Sequence, residues 1–262
     1  MIASTVMNYT FQSFIFRGRQ DAKPYYDLIS NISAEEYGHV ELVAATINGM
    51  LTGASDPAQV NGEVGVTLPG AKENRLSHHF IVSGQGALVA NSLGQPWQGD
   101  YVFNSGDLAL DLLHNFFLES GARAQKICVY EMTDHPIARG YLLVRGGVHQ
   151  VAYAKALEEL TGATVTKPLN IPNVPNWKFP ETRRWEERGL HRILYRFSPG
   201  DYREIDKIWK GVHPEDGEDV EVVDGPPEGA PRPDTPAQPG IGVPGYELAE
   251  LADIAKRMMQ RA

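Results

Sequence analysis

The stretch that decides the fold reads Ala34-Glu35-Glu36-Tyr37-Gly38-His39-Val40-Glu41-Leu42. Glu36 and His39 are three residues apart in a helical pattern, so both side chains leave one helix face about one turn apart. A Glu-x-x-His pair that points into a helix bundle is typical of dinuclear carboxylate metal sites. The same spacing also occurs on solvated acidic helix faces. A metal site therefore requires a second Glu and His on other inward-facing helices.

The bulk composition excludes several classes of protein. The chain has 262 residues, of which 42% are hydrophobic and 22% charged, as in soluble proteins of one large or two small domains. A net charge of -9 argues against nucleic acid as a partner. Cys128 is the only cysteine, which excludes a disulfide framework and a thiolate metal site and favours a reducing compartment. The sequence shows neither a membrane-spanning run nor a signal peptide, and it predicts a cytoplasmic protein.

Apolar spacing predicts four long helices, over residues 6–16, 22–51, 107–130 and 137–160. The first one has no start signal, so the chain begins inside a helix. Between the second and third lies a connection rich in Gly, Asn, Ser and Pro, over residues 52–106. Such a long crossover is typical of bundles in which two consecutive helices run parallel. The sequence therefore predicts an all-α four-helix bundle.

The required second Glu and His lie on the third and fourth helices. Glu119 follows a run that is apolar nearly all round, where burying a carboxylate without a partner costs several kcal/mol. His149 lies in mid-helix beside Gly146 and Gly147, which allow backbone or a cofactor to come close. Glu36 lies on a stripe that otherwise faces the core, so its charge must be neutralised, paired or bound to a metal. The remaining histidines are expected to have structural or surface roles; they are His78, His79, His114, His135, His191 and His213.

The composition changes after Thr161. Prolines punctuate the chain from Pro168 to Pro180, and residues 216–245 are rich in Pro, Gly and acids. This pattern predicts extended polypeptide that wraps over other surfaces, with a disordered tail as the alternative. Residues 246–261 predict a final amphipathic helix. We therefore divide the chain into a bundle, residues 1–165, and an extended C-terminal arm, residues 166–262.

Six motifs in order give the chain a family resemblance. They are residues 7–14 (MNYTFQSF), 34–42, 112–119 (LLHNFFLE), 129–134 (VYEMTD), 145–149 (RGGVH) and 194–199 (LYRFSP). Together they closely resemble the manganese catalases over nearly the whole chain. The resemblance implies a ferritin-like four-helix bundle with a long crossover and an extended C-terminal arm. It also implies disproportionation of hydrogen peroxide to water and dioxygen at a dinuclear manganese centre.

The resemblance also implies roles for individual residues. Glu36 would bridge the two manganese ions, His39 would bind one of them, and Glu119 with His149 would hold the other. Tyr9 matches a tyrosine that hydrogen-bonds a carboxylate ligand, and Lys126 matches a lysine that lines the access channel. The resemblance further implies a homo-oligomer, a hexamer by analogy, with the C-terminal arm laid over neighbouring subunits. Calcium at a subunit interface and a role in oxidative stress are also suggested by it.

The chain departs from the family pattern in two places. The family has a fifth ligand, a glutamate, seven residues before the tyrosine matched by Tyr9, and this chain has Ile2 there. Between Arg139 and Tyr141 only Gly140 stands where about three more residues are expected, which shifts the start of the fourth helix relative to His149. The first departure keeps open a catalytically impaired relative with a structural or coat role. A di-iron oxidase of the same fold is the third alternative.

Overall fold

The computed structural model describes residues 2–52, 87–91, 93–132, 137–167, 169 and 171–225. The chain divides into two compact units. One unit comprises Met1–Thr46 and Pro96–Pro233, and the other comprises Ile47–Gln95 and Asp234–Ala262. Most of the predicted crossover, the predicted helix at 246–261 and the histidines at 78, 79 and 135 lie outside the described residues. The site considered below is built by the first unit.

Four long helices form the architecture that the sequence predicts. They are α1 (Ile2–Phe16), α2 (Lys23–Thr52), α3 (Leu108–Met132) and α4 (Leu142–Thr161). Their apolar stripes meet in one core cluster, to which Tyr9, Ile29, Leu112 and Val151 each contribute from a different helix. The predicted all-α bundle is confirmed, and the first helix does begin at the start of the chain. No helix in the described part of the chain is long and apolar enough to cross a membrane.

A π-helical turn precedes the fourth helix. Residues Ile137–Tyr141 form a single π-helical turn, which is wider than an α-helical turn, and α4 continues from it directly. Gly140 lies in this turn, where an added Cβ would approach Trp185 Nε1 to 2.9 Å and the Glu181 carbonyl oxygen to 3.0 Å. Only glycine allows this close approach. The predicted shift of the helix start stays a prediction, and His149 is fully buried.

The C-terminal segment up to residue 225 is irregular, as its prolines predict. It contains the short helix α5 (Arg183–Glu186) and the strands β1 (Ile193–Arg196) and β2 (Glu221–Asp224). These strands pair in parallel, with Ile193 opposite Glu221. Its apolar side chains nevertheless share the core cluster of the helices, as Leu194 and Trp209 do. The proline pattern does not predict this packing, and the boundary at residues 165 and 166 stays a prediction.

Candidate metal centre

The candidate metal centre lies in the interior of the bundle. Helix α2 presents Glu36 and His39, α4 presents His149, and α3 presents Glu119. Each of these side chains is at most 2% exposed. They come from three helices because each residue lies on the apolar stripe of its own helix. The structure thus brings the four predicted ligands together.

The donor atoms of the centre converge on one carboxylate oxygen. His39 Nδ1 and His149 Nδ1 both lie 2.8 Å from Glu36 Oε1. Glu119 Oε1 lies 3.7 Å from His149 Nδ1 and accepts a 2.7 Å hydrogen bond from the Tyr9 hydroxyl. The sequence expectation that Tyr9 hydrogen-bonds a carboxylate of the site therefore matches the observed geometry. The same Nδ1 nitrogen of each imidazole faces the centre.

Buried charges make the centre electrostatically unusual. Burial alone would raise the pKa of Glu36, but the charges of His39 and Lys126 and the hydrogen bonds from both histidines hold that pKa well below its usual value. Glu119 Oε2 is buried and has no hydrogen-bond partner among the described residues. An unpartnered buried carboxylate oxygen is costly unless a cation binds it. Carboxylate oxygens and imidazole nitrogens in a bundle interior are the donor set of di-iron and dimanganese sites, so these residues fit such a metal pair.

Glu35 is a site residue that the sequence analysis missed. It is 3% exposed and accepts two hydrogen bonds from Arg145, from Nε at 2.5 Å and from Nη2 at 2.9 Å. Its Oε2 lies 3.1 Å from His149 Nε2, and its Oε1 lies 3.7 Å from His39 Nε2. Glu36 therefore hydrogen-bonds Nδ1 of both imidazoles. Glu35 lies on their Nε2 sides, close to His149 and further from His39, and neither Nε2 atom has a hydrogen-bond partner among the described residues. A carboxylate behind a ligating imidazole fixes the ring and its tautomer.

The neighbouring glycines of α4 accommodate side chains of α3. A Cβ on Gly146 would lie 3.0 Å from Lys126 Nζ, and one on Gly147 would lie 3.2 Å from Arg123 Nη1. The expected close approach is thus made by two cationic side chains, and not by backbone. Lys126 is 8% exposed, and its Nζ has no partner among the described residues. Its predicted role at an access channel stays a prediction.

His114 and Ile2 are further residues that the sequence analysis singles out. His114 stacks on Phe103 with ring centroids 4.4 Å apart, which agrees with its predicted structural role. Ile2 is the first residue of α1, and its spacing of seven places it two turns before Tyr9 on the same face. Two groups of three possible metal ligands occur in the described part of the chain, and each contains two histidines. Calcium prefers oxygen ligands, so neither group suits it. The calcium site that the family resemblance suggests stays a prediction.

A four-helix bundle that gathers carboxylates and imidazoles in its interior defines the class of ferritin-like metal-binding proteins. The family model described as manganese containing catalase matches residues 2–262. The chain therefore belongs to the manganese catalase family. This confirms the family resemblance that the six sequence motifs indicate.

Named relatives of the chain differ in what is known of them. A manganese catalase from Bacillus subtilis (strain 168) is 33% identical over 227 residues, which cover 84% of this chain and 77% of that protein. An uncharacterized protein of the same organism, YjqC, is 34% identical over 204 residues, or 76% of this chain and 69% of that protein. The chain is also similar to the crystal structure of KatB, a manganese catalase from Anabaena. The match covers 86% of this chain and 84% of KatB, with a TM-score of 0.49 and 22% sequence identity.

Proposed function

We propose that this chain is an enzyme that disproportionates hydrogen peroxide to water and dioxygen at a dinuclear manganese centre held by Glu36, His39, Glu119 and His149. One observation carries the proposal. The Nδ1 atoms of both histidines lie 2.8 Å from the same Glu36 oxygen in a fully buried site, with the Glu119 carboxylate beside them. Family membership supports the choice of manganese and peroxide.

The side chains of the chain have separable tasks in this proposal. Glu36 would be the ligand shared by both metal ions, because one of its oxygens faces both imidazoles. Glu35, held by Arg145, would orient the His149 ring from its Nε2 side. Two manganese ions, each changing by one oxidation state, would supply the two-electron capacity that peroxide disproportionation requires. Tyr9 fixes one oxygen of Glu119, which leaves Oε2 as the oxygen that would bind a metal ion. Lys126 balances part of the buried negative charge.

The proposal is tested by dioxygen evolution from peroxide with manganese-loaded protein. We expect Glu36→Gln to abolish evolution and to lower the manganese to protein ratio. Glu41→Gln changes an exposed glutamate on the same helix and should leave both quantities unchanged. Full dioxygen evolution by the Glu36→Gln variant would overturn the assignment of the centre.

A second candidate function is a catalytically impaired relative with a structural or coat role. The observation that favours it is Ile2, an apolar residue at the position where the family resemblance places a glutamate ligand. Absence of dioxygen evolution from protein that retains manganese would favour this candidate. A di-iron oxidase of the same fold would instead be purified with iron.

Several further features belong to the proposal and are supported by family membership alone. We propose a cytoplasmic homo-oligomer, a hexamer, that acts against oxidative stress, with calcium at a subunit interface. The mass in solution tests the hexamer, and metal analysis tests the calcium. Neither result bears on the peroxide chemistry.

A further inference from the structure

A second cluster of metal-ligating side chains lies outside the bundle interior, at the parallel strand pair. His191 stands two residues before β1, and His213 and Asp216 lie on the loop that leads into β2. Because β1 and β2 run parallel in register, the two segments that precede them meet at the same end of the pair. A backbone hydrogen bond from Glu221 N to Arg192 O, 2.9 Å long, holds them there.

The atoms of this cluster are close to metal-binding geometry. His191 Nε2 lies 2.7 Å from Asp216 Oδ2, and His213 Nδ1 lies 3.9 Å from Asp216 Oδ1. One donor atom of each residue lies within 4.8 Å of the other two. Ligand atoms around a tetrahedral zinc ion lie about 3.4 Å apart, given bonds of about 2.0–2.2 Å. Small side-chain rotations would therefore bring all three donors onto one ion.

The surroundings of the cluster favour a cation with an open coordination position. His191 is 6% exposed and His213 is 1% exposed, whereas the Asp216 side chain is one-third exposed, so solvent reaches the site through Asp216. Arg192 Nε lies 3.8 Å from Asp216 Oδ2, and Nη1 of the same guanidinium lies 3.8 Å from a Glu218 carboxylate oxygen. Of the two ring nitrogens of His191, Nε2 is hydrogen-bonded to Asp216, whereas the buried Nδ1 has no partner among the described residues.

We infer that His191, His213 and Asp216 form a second metal site, which binds a zinc-type divalent cation and clips the strand pair together. Two imidazoles and one carboxylate suit zinc, and an exposed carboxylate leaves room for a water ligand in the fourth position. Arg145 donates hydrogen bonds to the carbonyl oxygens of Leu190 (2.8 Å) and Ile193 (2.7 Å), on either side of His191. The clip would therefore steady the segment that anchors Arg145.

The experiment uses the full-length, manganese-loaded protein dialysed against zinc chloride, with zinc and manganese both measured by elemental analysis. The wild type is expected to hold about one zinc ion per chain more than Asp216→Asn, at equal manganese content. Asp219→Asn removes an exposed acid from the same loop and should match the wild type. Equal zinc content in the wild type and Asp216→Asn would overturn the proposal.

Cobalt substitution gives a second readout that does not depend on counting ions. Cobalt bound at the clip should give intense visible absorption bands typical of four-coordinate cobalt, and Asp216→Asn should lose them. His191→Gln keeps a hydrogen-bonding side chain and provides a second variant in case Asp216→Asn does not fold. We expect it to weaken cobalt binding at least tenfold. Unchanged bands in whichever variant folds would contradict the site.

Discussion

Glu35 is the acidic residue on the Nε2 side of the two imidazoles of the centre. It contacts the Nε2 side of both imidazoles and is held by Arg145. Removing such a partner from a metal-ligating histidine weakens metal binding by about 10–100-fold. We expect Glu35→Gln to lower manganese affinity in this range, as measured by equilibrium dialysis.

The Glu35→Gln variant also leaves Arg145 buried without a charged partner, which costs about 3–5 kcal/mol of stability. A double variant, Glu35→Gln with Arg145→Met, separates the two effects because it removes both charges. We expect the double variant to regain part of the lost stability but none of the lost manganese affinity. Recovery of affinity together with stability would mean that Glu35 acts only on folding.

Ile2 is the residue at which the chain departs from the ligand pattern that the family resemblance implies. A glutamate there would lie two turns before Tyr9 on the same helix face. We expect Ile2→Glu to raise peroxide turnover and manganese retention, because a carboxylate would add a ligand to the metal bound by His39. Ile2→Gln has a similar shape without the charge and should not have this effect. Equal turnover in all three proteins would place Ile2 outside the ligand shell.

All four ligands of the centre could be predicted from the sequence, and the pair that needed least information lies on one helix. Glu36 and His39 are three residues apart on the apolar stripe of one helix, and that stripe can be recognised from the local sequence alone. Glu35 could not be assigned this way, because adjacent residues leave a helix about 100° apart and its partner Arg145 is 110 residues further along. The signal that could have indicated Glu35 is the pair of adjacent acidic residues, Glu35 and Glu36, within a helix that is otherwise apolar on its buried side.

At the scale of elements, the π turn at Ile137–Tyr141 fixes how α4 enters the bundle. Gly140 lets the Trp185 indole and the Glu181 carbonyl pack against the turn. We expect Gly140→Ala to destabilise the protein by about 1–3 kcal/mol, the usual cost of overpacking a buried contact. The free energy of unfolding in urea, or the unfolding midpoint, measures this effect.

Gly38→Ala is the matched control for this substitution. Gly38 lies on the exposed face of α2, and an added Cβ there would meet nothing within 4 Å. Alanine in place of an exposed glycine in a helix interior stabilises by about 0.5–1 kcal/mol. The two substitutions should therefore shift the midpoint in opposite directions. A shift of the same sign and size would show that the contact at Gly140 is unimportant.

The elements of the C-terminal segment illustrate why part of the fold could not be predicted. Leu194, Ile205 and Trp209 are at most 2% exposed, but they lie in short strands and single turns without a long period. Periodicity detects an amphipathic helix of several turns, whereas a three-residue turn gives no repeat. These residues are buried in a core cluster that they share with the long helices, and a local pattern does not contain that information.

At the scale of the whole molecule, exposed apolar side chains form a stripe on α3. Leu110, Leu113 and Phe117 are 47%, 42% and 63% exposed, and they follow each other at three and four residues on one helix face. They line an apolar groove of about 650 Å³ between α3, the end of α4 and the residues Thr164, Val165 and Leu169. An exposed apolar stripe beside such a groove is a candidate subunit contact of the proposed homo-oligomer.

We expect the double variant Leu110→Ser with Phe117→Ser to lower the mass in solution, as measured by light scattering after size exclusion, because polar side chains remove the gain from burying this stripe. Val129→Ser changes an exposed apolar residue elsewhere on α3 and should leave the mass unchanged. Loss of mass in both variants would point to a general folding defect, which circular dichroism would reveal. An unchanged mass in the double variant would show that subunits meet through another surface, and a monomeric wild type would refute the homo-oligomer itself.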